Sequence, residues 1–149
     1  MTIRLFAIAA IAGTALLGAA PLLAQTAAPT RSVWDGVYTA AQADHGKTIF
    51  MSTCSRCHGT QLQGADVAPA LVGPSFMGDW GGQTVGDLVD RIHTTMPADN
   101  PGHLSLATST DLVAFILQSN QIPAGTNELP HNAQLQQMIR IDANKPAGK

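Results

Sequence analysis

The hydrophobic pattern changes character along the chain. Leu5 to Ala20 is an unbroken run of apolar and small residues without a charge. From Thr39 the spacing predicts a helix through Ile49 and Phe50 to about Thr53. Thr39 and Gln42 are spaced as a capping box, in which hydroxyl and amide satisfy each other's orphan backbone donors. Gly46 weakens that helix from within, which makes sense where another helix crosses closely. Residues 59–83 are rich in glycine, carry Pro69 and Pro74, and show no clear period, so they read as a long ordered loop. Such a loop is unusual in a compact domain and is often functional. It needs something to wrap.

Regular spacing returns at Thr84. Thr84 and Asp87 have capping spacing, and Val85, Leu88, Val89 and Ile92 share one face of a helix to about Thr95, stopped by Pro97. After the loop MPADNPGHLS, Thr108 and Asp111 cap a third helix. Its apolar residues Leu112, Val113, Phe115, Ile116 and Leu117 nearly surround it, so it should be the most buried. Beyond Asn120, Leu135, Met138 and Ile139 suggest one weak helical turn, and the final DANKPAGK reads as frayed. With no repeats and no alternating strand pattern, the expected class is all-α, three main helices with long loops.

Composition narrows the setting. MTIR, the apolar run and PLLAQ form the three-part pattern of a secretory signal peptide, with cleavage after Ala24. The run of about 16 residues falls short of the roughly 20 that span a bilayer, so membrane attachment is expected only if the segment stays uncleaved. The implied organisation is signal peptide 1–24, an arm 25–38 whose start, QTAAPTRSV, looks loose, a domain 39–119, and an extension 120–149. The whole chain carries a formal charge of −2, and losing Arg4 makes it more acidic, without the basic footprint of a nucleic-acid binder. Outside the signal segment the aromatics are Trp34, Tyr38, Phe50, Phe76, Trp80 and Phe115, a thin core that a bound apolar group would help.

The two cysteines stand in CSRCH, positions 54–58. A disulfide between Cys54 and Cys57 closes too short a loop to constrain the unfolded chain much. A redox dithiol expects a strand–helix context that is missing here. Tetrahedral zinc needs four ligands, and Cys54, Cys57 and His58 give three. Haem attachment by C-x-x-C-H needs nothing more than is present: each thiol adds to one vinyl group, and the adjacent His58 meets the iron. That is the preferred reading, with one covalent haem c.

Met96 is the candidate for the other axial position, fixed at a helix end by Pro97. A thioether prefers ferrous iron and raises the reduction potential. The competitor is His93, one turn earlier, on a face expected to be solvent-exposed. Met51, Met77 and Met138 read as core filler, and His45, His103 and His131 as surface residues. Trp80 is either core or a donor to a haem propionate. Pro69 is the candidate carbonyl for the free N–H of His58.

These residues resemble a class I cytochrome c. The matching elements are Gly46 and Phe50 before the motif, CSRCHG, Pro69, Leu71 and Gly73, Met96–Pro97, and the final helix DLVAFIL, over about residues 39–119. The resemblance implies an all-α fold with first and last helices crossing near Gly46 and Phe115, His58 and Met96 as axial ligands, and one exposed haem edge. The flanks VWDGVYTAAQA and TVGDLVDRIHTTMPADNPG resemble cytochrome c subunits or domains that accompany periplasmic quinoprotein dehydrogenases, mainly those using pyrroloquinoline quinone on alcohols. The expected role is a periplasmic electron carrier without bond chemistry of its own. It would take electrons from a dehydrogenase and pass them to a terminal oxidase or another cytochrome. The alternatives are a c-haem enzyme or gas sensor with a labile distal ligand, and a redox-inert module holding a metal at CSRCH. Trp34 and Tyr38 either join a docking face or, preferably, pin the leader onto the core.

Overall fold

The computed structural model describes residues 30–66 and 68–147. The signal-peptide segment lies outside the described residues, as do the first residues of the arm and the last two of the chain. Within the described part, the elements run β1 (Arg31–Ser32), a 3₁₀ turn (Val33–Asp35), α1 (Ala40–Thr53), α2 (Ser55–His58), α3 (Gly73–Trp80), α4 (Val85–Thr95), α5 (Leu106–Ser119), α6 (Ala133–Gln137) and β2 (Ile139–Arg140). No helix among the described residues is long and apolar enough to cross a membrane.

The fold is mostly helical, as expected, and its centre is the crossing of α1 and α5. Gly46 is buried at that crossing, and a Cβ there would stand 2.5 Å from the Asp111 carbonyl carbon and closer still to its oxygen. Only a bare Cα permits the approach. One turn further, the rings of Phe50 and Phe115 lie 5.4 Å apart and tilted. Nearly every residue of α5 from Ser109 to Leu117 is buried, which follows from apolar residues on all its faces.

Helix starts only partly follow the spacing rules. Thr84 and Asp87 form the complete capping box of α4. At α1, Thr39 accepts from the Gln42 backbone N–H at 3.2 Å, but the Gln42 side chain does not reach back. Instead Gln42 is 5 % exposed, donates to Asp111 Oδ1 at 3.0 Å and the Leu129 carbonyl at 3.1 Å, and accepts from the Leu129 N–H at 2.8 Å. The α5 cap is Ser105, which accepts from the Thr108 N–H, rather than Thr108 itself. Asp111 lies buried inside that helix and accepts from Gln42. His45 sits 2.7 Å from Asp111 and His131 3.4 Å, so these two surface histidines line its exposed side.

Residues 59–83 are not one loop. Helix α3 forms inside them, with Pro74 in its first turn, where a missing N–H costs nothing. Its buried anchor is Phe76. The arm and extension are also more structured than their composition suggests. β1 and β2 pair in parallel, Arg31 with Ile139 and Ser32 with Arg140. The Trp34 indole donates to the Asp142 carbonyl at 2.9 Å, and the Tyr38 hydroxyl to the Ile122 carbonyl at 2.5 Å. Burial of Tyr38 pushes its phenol up to about 12. Ile122, Leu129, Ile139 and Ile141 are all buried. Tyr38 is therefore core, and the part of DANKPAGK around Asp142 is bonded rather than frayed.

Candidate haem site

The CSRCH motif bridges two helices. Cys54 closes α1, its N–H donating to the Phe50 carbonyl at 2.8 Å, and Ser55, Arg56, Cys57 and His58 form the single turn of α2. Gly59 ends that turn at φ +77°, a conformation open chiefly to glycine. Cys54 is half-buried and Cys57 exposed. Burial first, and the neighbouring Cys57 second, push the Cys54 thiol up to about 11.

The chain after His58 doubles back on itself. The Gly64 N–H donates to the His58 carbonyl at 2.8 Å, Ala65 and Ala68 bridge as a small antiparallel pair, and the Leu71 N–H donates to the Leu62 carbonyl at 2.8 Å. Gly64 has φ +78°, and a Cβ there would press on the Ala68 carbonyl oxygen and the Ala70 nitrogen. This hairpin places the Pro69 carbonyl oxygen 2.9 Å from His58 Nδ1. A carbonyl only accepts, so Nδ1 carries the proton and Nε2 keeps its lone pair. His58 is 9 % exposed, a polar ring held in a largely apolar setting.

Asn120, the first residue of the extension, locks this loop from the other side. Its side-chain amide donates to the Leu71 and Ile116 carbonyls, each at 2.9 Å, and its carbonyl accepts from the Gly73 N–H at 2.9 Å. The only sequence signal was an asparagine directly after an apolar helix, a common helix-end residue.

These elements surround a cavity of about 690 Å³. That size falls in the range of roughly 300–1,000 Å³ usual for cofactor sites. Cys54, Cys57 and His58 line it, together with Pro69, Trp80 and Met96. Every sequence-predicted site residue therefore reaches one space. Its greasy wall is Phe50, Leu71, Leu88, Ile92, Leu112 and Ile116, drawn from α1, α4, α5 and the hairpin. Arg56, Arg91, Asp79 and Asp99 also line it. Trp80 is half-buried, packs on the core and faces this cavity, and its indole N–H has no protein acceptor among the described residues.

Met96 caps the end of α4, its N–H donating to the Ile92 carbonyl at 3.0 Å, and it is half-buried. His93 behaves differently. It is half-buried rather than exposed, lies with Nδ1 2.7 Å from the Leu104 carbonyl, and is absent from the cavity lining. Among the described residues no group of three His, Cys, Asp or Glu side chains is placed to hold a metal ion directly. The donor set that is present suits a covalent macrocycle: paired thiols, an adjacent imidazole with a free Nε2, a thioether, and an apolar slot.

The family described as cytochrome C oxidase, cbb3-type, subunit III matches residues 41–116, from the first turn of α1 to near the end of α5. No curated protein matches the chain. Among solved structures, a chain of the sulfane dehydrogenase SoxCD from Paracoccus pantotrophus is similar at 24 % identity and a TM-score of 0.44, with 73 % of this chain and 61 % of that chain covered.

Proposed function

Because the chain belongs to the family of cytochrome c oxidase, cbb3-type, subunit III, whose cytochrome c domain binds haem for electron transport, we propose a specific ligand set and electron route for it. Cys54 and Cys57 are consistent with one covalent haem c. We assign His58 and Met96 as the axial ligands, Pro69 as the acceptor for His58, and Trp80 as a donor to a propionate. The observation that carries this reading is the convergence of CSRCH, the Pro69 carbonyl and Met96 on one apolar-walled cavity.

When bound, the haem supplies a one-electron Fe(III)/Fe(II) couple. The chain's own residues do the rest. The bond from His58 Nδ1 to Pro69 fixes the ring and makes Nε2 a stronger donor. The Met96 thioether is soft and favours the ferrous state. Leu88, Ile92, Leu112 and Ile116 keep water from the slot, which limits rearrangement around a changing charge. With His58 and Met96 both holding the iron, no position would be left open to oxygen, as would suit a carrier. His93, tied to Leu104, is not in position to act as a distal acid or base.

We place the protein in the periplasm, delivered by the segment 1–24. Its redox partners would be a quinoprotein dehydrogenase as donor and a terminal oxidase or second cytochrome as acceptor. The test is optical. The oxidised protein should show a Met-to-ferric charge-transfer band that vanishes in Met96→Ala, and the reduced protein should bind carbon monoxide slowly at neutral pH. No such change in Met96→Ala, with fast carbon monoxide binding in both proteins, would instead support a gas sensor or enzyme with a labile distal site.

A further inference from the structure

Met96 opens an exposed loop, and the two ends of that loop are secured very differently from its middle. At one end the Met96 N–H donates to Ile92; at the other, the Leu104 carbonyl lies 2.7 Å from His93 Nδ1 and Leu104 is buried. In between, the Asn100 N–H donates to the Pro97 carbonyl at 2.9 Å and closes a local turn. Residues 98–103 are exposed. Among the described residues, the one hydrogen bond from 97–103 to another element is Arg56 Nη2 to Asp99 Oδ2, at 2.6 Å.

The two partners come from the two sides of the proposed iron site. Arg56 lies between Cys54 and Cys57; Asp99 follows Met96 by three residues. Both line the cavity, and their side chains are 77 % and 62 % exposed. We propose that Arg56 and Asp99 form a clasp across the cavity mouth that holds the Met96 loop shut and sets how often the Met96 sulfur leaves the iron. The inference rests on the reading of Met96 as an axial ligand.

Physical magnitudes decide where such a pair matters. An exposed ion pair adds little to global stability. Loop opening, however, is a local event that breaks few contacts, so one pair is a large part of what opposes it. The Arg56 backbone is fixed in the α2 turn, so the freedom lost on that side of the clasp is that of its side chain alone. The Asp99 side is the one that moves.

The experiment compares oxidised holoprotein with Arg56→Gln, Asp99→Ala and the reciprocal double variant Arg56→Asp/Asp99→Arg. Two quantities are followed: the rate at which added imidazole displaces Met96, read from the Met-to-ferric band, and amide exchange across residues 97–103. Each single variant should raise both rates about two- to five-fold, and the swapped pair should restore them substantially. Rising salt should speed displacement in the wild type and leave Arg56→Gln unaffected. The urea midpoint should hardly change. Equal displacement and exchange rates in wild type and both single variants at low salt would overturn the clasp. Absence of the band from the wild type would overturn the Met96 reading instead, and exchange at 97–103 would still decide whether the ion pair holds the loop.

Discussion

Replacing Gly46 by alanine sets two effects of opposite sign against each other. Alanine is the better helix former by about 1 kcal/mol, so propensity alone predicts a more stable α1. The structure predicts the reverse. The new Cβ would stand 2.5 Å from the Asp111 carbonyl carbon, where ordinary contact begins at 3.4 Å. Clearing that carbon alone would part helices α1 and α5 by about 0.9 Å, and the nearer carbonyl oxygen demands more, so at least a quarter to a half of each dispersion contact along the seam is forfeited. The obstacle is backbone, so no rotamer change relieves it. Overpacking then costs about 3 kcal/mol, the upper end of its usual range, and the net loss is about 2 kcal/mol. Gly78→Ala is the control. Gly78 lies in α3, and a Cβ there meets nothing within 4 Å. That variant should gain up to about 1 kcal/mol. Thermal unfolding of the haem-loaded proteins, followed by far-UV circular dichroism, measures both. Gly46→Ala should lower the thermal midpoint by roughly 6–12 °C while Gly78→Ala holds or raises it. A Gly46→Ala protein as stable as wild type would refute the close crossing.

Other outcomes follow from the same structure. Gln42→Ala strips the buried Leu129 N–H and carbonyl of their partners and removes a donor from Asp111; it should cost roughly 3–5 kcal/mol and make the segment after Asn120 the first site of limited proteolysis. Burial alone would push the Asp87 carboxyl up, but bonds from the Thr84 hydroxyl and N–H and from Gln137 outweigh it and hold the group below the ordinary carboxylate range. Its contribution is therefore present above the unfolded-state value and lost as pH falls through the folded one. The stability gap between wild type and Asp87→Asn should be flat from about pH 5 to 7 and close below about pH 4. Tyr38 has the opposite sense: with its phenol raised by burial, its contribution is complete below about pH 10 and fades as pH climbs further. Wild type should unfold more readily above that pH, and Tyr38→Phe should lack that alkaline step.

What the sequence revealed was what short-range spacing encodes. The α4 box at Thr84 and Asp87, the amphipathic face through Ile92, and the buried character of α5 all depend on residues within a few turns of each other, and all stand in the structure. Two of the misreadings share a cause: a residue spent on a distant partner. Gln42 looks like a capping residue, but its amide bonds Leu129, far along the chain. Asp111 looks like a cap for α5, but it serves α1. Helix α3 was hidden because its glycines lower propensity, and its formation depends on burying Phe76. The extension looked polar because its anchors, Ile122, Leu129, Ile139 and Ile141, are too widely spaced to show a period. Of the site, the attachment motif was legible from its unbroken five-residue string. The apolar walls were not, since they come from four separate elements.

The most direct test of the central claim is the intact mass of the protein purified from a host with a working haem-attachment system. Covalent attachment at Cys54 and Cys57 gives the polypeptide plus one haem, with the addition lost in the double variant Cys54→Ser/Cys57→Ser. A wild-type mass equal to the bare polypeptide would contradict it.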